Sequence, residues 1–192
     1  GTDIVVVADL GIDKLVSYRL GKDGSLDKLA EFATAPGAGP RHVAFHPNGR
    51  FMFVMNELDS TFASLAIDPA TGALTLIDTL AAVPAEARDH NHCADIQISP
   101  DGHFLYGSNR GHDSIAVVAV DQGTGKLSLV EFTPCGGPTP RNLGISPSGR
   151  LLFSANQNGD NVTIFRRDAD TGKLTQAGSI PIGTPMCVRI VN

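Results

Sequence analysis

The feature that most constrains the fold of this chain is a sequence unit that occurs four times. The copies read ADLGIDKLVSY, MNELDSTFASL, SNRGHDSIAVV and ANQNGDNVTIF. Each copy carries a short polar side chain at its second position, and these residues are Asp9, Asn56, Asn109 and Asn156. They are separated by 47, 53 and 47 residues. A repeat of about 40–50 residues that contains several short strands is typical of a β-propeller blade.

Four strands can be assigned within one such unit. Residues 41–45, 51–55, 61–67 and 74–80 are short apolar or alternating runs, separated by clusters of Asn, Asp, Gly and Pro. These runs indicate an antiparallel meander, and the chain shows no sustained helical period, so we expect helix content near zero. We predict an all-β fold in which residues 1–192 form one β-propeller domain, or part of one, with about four four-stranded antiparallel blades.

The two ends of the chain resemble complementary pieces of one blade. Asp3–Ala8 matches a second strand, and Pro185 aligns with Pro40 and Pro140, so that residues 186–191 match a first strand. We therefore expect blades at residues 3–38 plus 185–191, 39–90, 91–138 and 139–184. Exchange of the end strands would close a four-bladed ring within one chain, or an eight-bladed ring in a homodimer. Because the chain starts without Met, we prefer a third interpretation, a piece of a longer ring with further N-terminal blades.

Composition excludes several classes of partner. A net charge of −5 argues against a nucleic-acid surface, which normally has a basic excess. No apolar run approaches the roughly 18 residues of a membrane span, so we expect no membrane partner. The three cysteines lack CxxC spacing and indicate reduced thiols in a cytoplasmic protein rather than a disulfide framework. We expect neither a metal nor another cofactor.

Antiparallel pairing separates a repetitive rim from a variable one. The start of a first strand and the end of a second strand share one rim, and the hairpin turn between them lies on the other. The turns on that other rim are nearly unchanged from unit to unit, whereas the shared rim varies and is rich in ionisable groups. Its polar residues are Arg41, His42, Asn56, Glu57, Asn109, Arg110, His112, Asp113, Arg141, Asn142, Asn156 and Gln157. We expect them at the mouth of the axial channel.

Each group on this rim has a functional and a structural interpretation. Three arginines near one axis favour a bound anion, but Arg41 and Arg141 would also serve as struts between blades if they paired with acids such as Glu57. His42 and Glu57 form a candidate acid–base pair, although a channel histidine often binds a backbone carbonyl. The recurring asparagines are expected to cap their own backbone, and Gln157 is free to point into the channel.

The longest unit contains an insertion, Pro84–His92, which we expect to form a partial lid over the channel mouth. Within it, Asp89, His90 and His92 are only a weak metal motif because no further ligands stand nearby. His46 and His103 lie on or beside the repetitive rim and are expected to face solvent.

The rim residues belong to strings that resemble the lactonase family of seven-bladed β-propellers. These strings are GPRHVAFHPNGRFMFVMNEL (39–58), ADIQISPDGHFLYGSNRGHDSIAV (94–117) and PRNLGISPSGRLLFSANQNGDNVTIF (140–165), with shorter matches at 7–18 and 185–191. The resemblance covers essentially the whole chain. The family ring has about three more blades, which precede this segment, and an upstream His-x-His element that is not found here.

The resemblance implies hydrolysis of a small anionic sugar lactone, with 6-phosphogluconolactone as the first expectation. It implies three catalytic residues, His42, Glu57 and Arg110, and four substrate-binding residues, Arg41, His112, Arg141 and Gln157. Glu57 or His42 would be the base, and Arg110 would stabilise the oxyanion. Two alternatives stay open, because fold alone does not set function: a non-catalytic propeller that binds an anionic metabolite or a partner, and a lactonising enzyme of the carboxymuconate type.

Overall fold

The computed structural model describes residues 3–191, which form fifteen strands in four antiparallel sheets. The first sheet has three strands: β1 (Ile4–Asp9), β2 (Lys14–Leu20) and β3 (Leu26–Ala33). The second contains β4 (Pro40–Phe45), β5 (Phe51–Asn56), β6 (Thr61–Ile67) and β7 (Leu74–Ala81). The third contains β8 (His92–Ile98), β9 (Phe104–Arg110), β10 (Ser114–Val120) and β11 (Leu127–Pro134). The fourth contains β12 (Pro140–Ile145), β13 (Leu151–Asn156), β14 (Asn161–Arg167) and β15 (Leu174–Pro181).

Each sheet is an up-and-down meander in which neighbouring strands in sequence are also neighbours in space. The all-β blade architecture expected from the repeat is thus confirmed. Between residues 3 and 191 the helical segments are three short 3-10 helices, at Leu10–Ile12, Ala85–His90 and Gln157–Gly159. None of the helices described there is long and apolar enough to cross a membrane.

Apolar side chains fill the space between successive sheets. Between the second and third sheets, Phe53 and Phe62 pack with Leu105 and other fully buried residues. The two middle strands of the second and third sheets have buried residues on both faces, which explains the continuous apolar run of β5 in the sequence. Gly107 of β9 lies directly against the Phe62 ring, and a Cβ at that position would come within 2.4 Å of it.

The repetitive rim joins each sheet to the next through the Thr-Gly turns. The hydroxyl of Ser17 donates to the carbonyl of Gly72 at 2.8 Å, and Ser64 donates to Gly125 at 2.6 Å. In the last pair of sheets the Tyr106 hydroxyl donates to Gly172 at 2.9 Å. The turns therefore recur because the preceding blade binds their carbonyl oxygens, which are buried and need a partner.

His46, on the same rim, is buried, so the expectation that it faces solvent was wrong. It is 4% exposed, its Nε2 lies 3.1 Å from Gln122 Oε1, and its ring contacts Phe51 edge-on. His46 is therefore a packing residue whose two ring nitrogens both have partners, since Nδ1 accepts from the Asn48 amide.

The first strands of three sheets lie side by side. β8 packs between β4 and β12, so the starts of these strands meet at one rim. The segment 182–191 forms no strand in the described residues and lies beside β12, where the Val188 amide donates to Asn142 Oδ1 at 2.7 Å. It is not paired with β1, so exchange of residues 185–191 into the first sheet stays a prediction that this structure does not contain.

Replacing Gly107 with Ala tests the tight packing between the second and third sheets. The added methyl group would overlap the Phe62 ring and the Met55 methyl carbon, and we expect the free energy of unfolding to fall by about 1–3 kcal/mol. Gly178→Ala is the matched control, since it is also a strand glycine and a Cβ there meets nothing within 4 Å. Urea denaturation measures both, and equal stabilities for the two variants would contradict this account of the packing.

Candidate functional site

The site is built from equivalent positions on three successive sheets. Asn56, Asn109 and Asn156 lie at or next to the ends of the second strands. They pair with Pro40, Cys93 and Pro140, after which each of these first strands has a bulge. This register gives three sets of equivalent residues. The sets are Arg41, Ala94 and Arg141; His42, Asp95 and Asn142; and Glu57, Arg110 and Gln157.

Glu57 bridges two arginines from different sheets. Its Oε2 lies 3.0 Å from Arg41 Nε, and its Oε1 lies 2.6 Å from Arg110 Nη2. The side chains of all three residues are only 17–18% exposed. Both carboxylate oxygens of Glu57 are bound, and the charges of all three residues are partly desolvated. The bridge is therefore a firm contact between two sheets rather than a loose surface ion pair.

Backbone carbonyls of the third sheet fix the two guanidinium groups further. Arg110 donates to the carbonyls of His92 at 3.2 Å and Cys93 at 3.0 Å, and Arg41 Nη1 donates to that of Ala94 at 2.5 Å. The strut interpretation was made for Arg41 and Arg141, and these contacts support it for Arg41. Arg110, for which it was not made, has contacts of the same kind. Part of each guanidinium, Arg41 Nη2 and Arg110 Nη1, has no partner in the described residues.

Arg141 is partly buried and pairs with no carboxylate anywhere in residues 3–191. Burial lowers the pKa of Arg41, and the positive charges of Arg110 and Arg141 lower that pKa further, whereas Glu57 and Asp95 raise it. Arg110 and Arg141 thus lie near enough to Arg41 to lower its pKa, and Glu57 bridges only two of the three guanidinium groups. A local excess of positive charge with unused donors is an environment that favours anions.

His42 is held from both sides of its ring. Nδ1 lies 2.7 Å from Asp95 Oδ1, and Nε2 lies 3.0 Å from Arg41 Nη1. A base near the arginines was predicted from the sequence, but Asp95, which is 3% exposed, was not among the predicted residues. One signal was available, because Asp95 occupies in its unit the position that His42 occupies in the preceding one.

Of the predicted substrate-binding residues, Gln157 lies near the arginines and His112 does not. Gln157 is partly buried, and its backbone amide donates to Thr139 O at 2.8 Å. The backbone amide of Glu57 donates in the same way to Gly39 O at 2.7 Å. It therefore stands beside the start of β12, next to Arg141. His112 does not join the arginines.

The contacts of His112 are with the outer strands of its own sheet. Its Nδ1 lies 2.7 Å from Ser114 Oγ on β10, and its ring meets Phe132 of β11 edge-on at 5.8 Å. The chain is turned outward here by Gly111, with φ of 110°, and Asp113, with φ of 53°. These contacts do not support its predicted role in substrate binding.

The recurring asparagines are buried and do not cap their own backbone, so that expectation was wrong. Asn109 Nδ2 donates to Ala82 O at 2.8 Å, and Asn156 Nδ2 donates to Cys135 O at 3.2 Å. Both carbonyls belong to the segment that arrives from the outermost strand of the preceding sheet. Asn56 stays within its own sheet, where its Nδ2 donates to Thr61 Oγ1 at 2.9 Å. Asp9, the equivalent residue of the first unit, accepts from the Gly11 amide at 3.1 Å.

The insertion forms the 3-10 helix at Ala85–His90 and packs against the turn that follows Arg110. At Gly111 a Cβ would come within 2.1 Å of the His90 carbonyl oxygen, so glycine is required there. The insertion thus borders the turn that follows Arg110, and its role as a lid stays a prediction. In the described residues, no group of three or more His, Cys, Asp or Glu side chains is arranged to hold a metal ion.

Comparison with known proteins places this arrangement in a family. A sequence model of the family described as Lactonase, 7-bladed beta-propeller, matches residues 1–190. The 6-phosphogluconolactonase of Bacillus subtilis (strain 168) is 44% identical over 138 residues, which cover 72% of this chain and 39% of the relative.

Two solved structures are also similar to this chain. A crystal structure of a protein from Lactobacillus plantarum has a TM-score of 0.95 and 37% identity, covering 98% of this chain and 55% of that chain. The periplasmic gluconolactonase of Pseudomonas aeruginosa has a TM-score of 0.88 and 33% identity, covering 95% and 52%. The chain therefore spans about two-fifths to somewhat over half of the length of these relatives.

Replacing Glu57 with Gln tests the bridge between Arg41 and Arg110. The variant leaves two close guanidinium groups without a compensating charge, and we expect the free energy of unfolding to fall by about 2–3 kcal/mol. Glu86→Gln, on the exposed face of the inserted helix, is the charge-matched control and should change little. If denaturant titration shows equal losses for both variants, the bridge does not stabilise the fold.

Proposed function

This chain belongs to the lactonase family of seven-bladed β-propellers, and we propose that it supplies residues for the hydrolysis of a sugar lactone. The first candidate substrate is 6-phosphogluconolactone, because curated relatives up to 44% identical carry that enzyme's name. The proposal rests on Arg141, which has no carboxylate partner in the part of the chain that the structure describes. It lies beside two fixed arginines and a histidine held at both ring nitrogens.

His42 is the proposed general base. Its side chain is 43% exposed, so water has access to the ring. Glu57 was the other candidate, but both of its oxygens are already bound by guanidinium groups. We therefore assign Glu57 to holding Arg41 and Arg110 in place rather than to proton transfer.

The proposed reaction needs one water molecule and one lactone. Nε2 of His42 gives up its contact with Arg41 Nη1, which still donates to Ala94 O. It then takes a proton from the water molecule as the water oxygen attacks the ring carbonyl carbon, which gives a tetrahedral oxyanion. Arg110 faces this charge with Nη1, which has no other partner in the described residues, and its position is fixed beforehand by Glu57 and two carbonyl oxygens. Such pre-organised stabilisation is usually the largest single contribution to catalysis.

Collapse of the intermediate breaks the bond between the carbonyl carbon and the ring oxygen. The departing alkoxide takes the proton from the His42 imidazolium, so the product is an open-chain acid and the base is regenerated. Arg141, the free Nη2 of Arg41 and the side-chain amide of Gln157 are proposed to bind the phosphate, since guanidinium forks match phosphate geometry.

Location and assembly are also proposals. We propose a cytoplasmic protein, although one structural relative is described as periplasmic. Because the relatives are about twice as long as the matched segment, we propose that further blades, or a second copy of the chain, complete the walls of the site.

The rate of acid release tests the catalytic assignment. This chain should hydrolyse 6-phosphogluconolactone faster than the spontaneous background, and Arg110→Ala should lower kcat by about 10²–10³-fold through loss of oxyanion stabilisation. Arg150→Ala removes the same charge from an exposed turn on the opposite rim and should leave the rate unchanged. If Arg110→Ala and the unchanged chain release acid at the same rate, the assignment is wrong. Binding of the product without any acid release would favour the non-catalytic alternative.

A further inference from the structure

A chain of hydrogen bonds crosses three sheets directly beneath the arginines. His42, Asp95 and Asn142 occupy equivalent positions on β4, β8 and β12. His42 Nδ1 lies 2.7 Å from Asp95 Oδ1, and Asn142 Nδ2 lies 2.6 Å from Asp95 Oδ2. The amide of Val188 extends the chain by donating to Asn142 Oδ1 at 2.7 Å.

The groups at the two ends of this chain determine its direction. At one end, Arg41 has only donors, so the Nε2 atom that lies 3.0 Å from its Nη1 must accept. In a neutral imidazole the other nitrogen, Nδ1, then carries the proton and donates to Asp95. At the other end, the backbone amide of Val188 can only donate, which makes the Asn142 oxygen the acceptor and turns its NH₂ group toward Asp95.

The Asp95 carboxylate therefore accepts a hydrogen bond from each of its partners. Beyond His42 and Asn142, it accepts from the amides of Ile96 at 2.8 Å and Leu143 at 2.9 Å, and from Gln97 Nε2 at 3.3 Å. A carboxylate that is 3% exposed is stable only when its oxygens are bonded in this way. An amide at this position would place a donor against at least one other donor.

We infer that Asp95 is a positioning residue that keeps His42 in the tautomer protonated at Nδ1, so that Nε2, which lies against Arg41 of the proposed anion site, is the nitrogen that can take up a proton. The inference rests on the proposed role of His42 in lactone hydrolysis. Asp95 itself does not touch the reacting atoms. Its effect depends on correct packing of three sheets and of the 187–188 segment, because each supplies one member of the hydrogen-bond chain.

Long-range ¹H–¹⁵N spectra of the imidazole rings read out the tautomer without reference to activity. In this chain at a pH where His42 is neutral, the spectrum should show the proton on Nδ1. Asp95→Asn should shift His42 toward the Nε2-protonated form, because the Asn NH₂ can then donate to Nδ1. Gln97→Ala removes another contact of Asp95 outside the chain and should keep the tautomer seen in the unchanged protein.

Kinetics separate this inference from the proposed function. Asp95→Asn should lower kcat for 6-phosphogluconolactone at least tenfold, while KM and the affinity for 6-phosphogluconate change less than about twofold. An Nε2-protonated His42 in the unchanged chain overturns the inference even if the variant fails to fold. Undiminished kcat in a folded Asp95→Asn variant also overturns it. The expected tautomers without any lactonase activity would support the positioning role and reject the proposed function.

Discussion

The bridge from Arg41 through Glu57 to Arg110 is the contact on which the rim that holds the three arginines depends. Three guanidinium groups meet where β4, β8 and β12 begin, and like charges at this distance repel unless something compensates them. Glu57 compensates two of them and fixes their orientation across a sheet boundary. The third, Arg141, has no side-chain hydrogen bond or ion pair within residues 3–191. The same arrangement therefore stabilises the junction between sheets and leaves an excess of positive charge for a ligand.

The opposite rim shows what the fold requires when no ligand is involved. There the Thr-Gly turns give their carbonyl oxygens to Ser17, Ser64 and Tyr106 of the preceding sheets, and Arg167 binds Tyr106 and Asp101. Burial raises the pKa of Tyr106 to about 12, which keeps its hydroxyl protonated as a donor. Each of these buried polar groups has a partner of matching type, which is what a purely structural rim requires. The rim with Arg41, Arg110 and Arg141 differs because partly buried guanidinium donors there have no partner in the described residues.

The repeat alone predicted the blades and the rim at which the charged groups meet, because strand ends follow directly from hydrophobic runs and turn residues. It did not predict where individual side chains point. Asn109 reaches a carbonyl that arrives from the preceding sheet, and that segment is remote in sequence. His112 is turned outward by two residues with positive φ. Asp95 was overlooked because a single acid in an apolar strand has no local signal, although its equivalence to His42 marks it once the units are aligned.

We propose that the arginines of three sheets form an anion site and that Arg141, which has no partner in residues 3–191, is its main ligand. Calorimetric titration of this chain with 6-phosphogluconate measures this binding. We predict binding that Arg141→Ala weakens about tenfold or more, by loss of charge-assisted hydrogen bonds, while Arg150→Ala leaves it intact, and much weaker binding of gluconate, which lacks the phosphate. Equal affinities for the two acids, or equal affinities of the two arginine variants for 6-phosphogluconate, would contradict the claim.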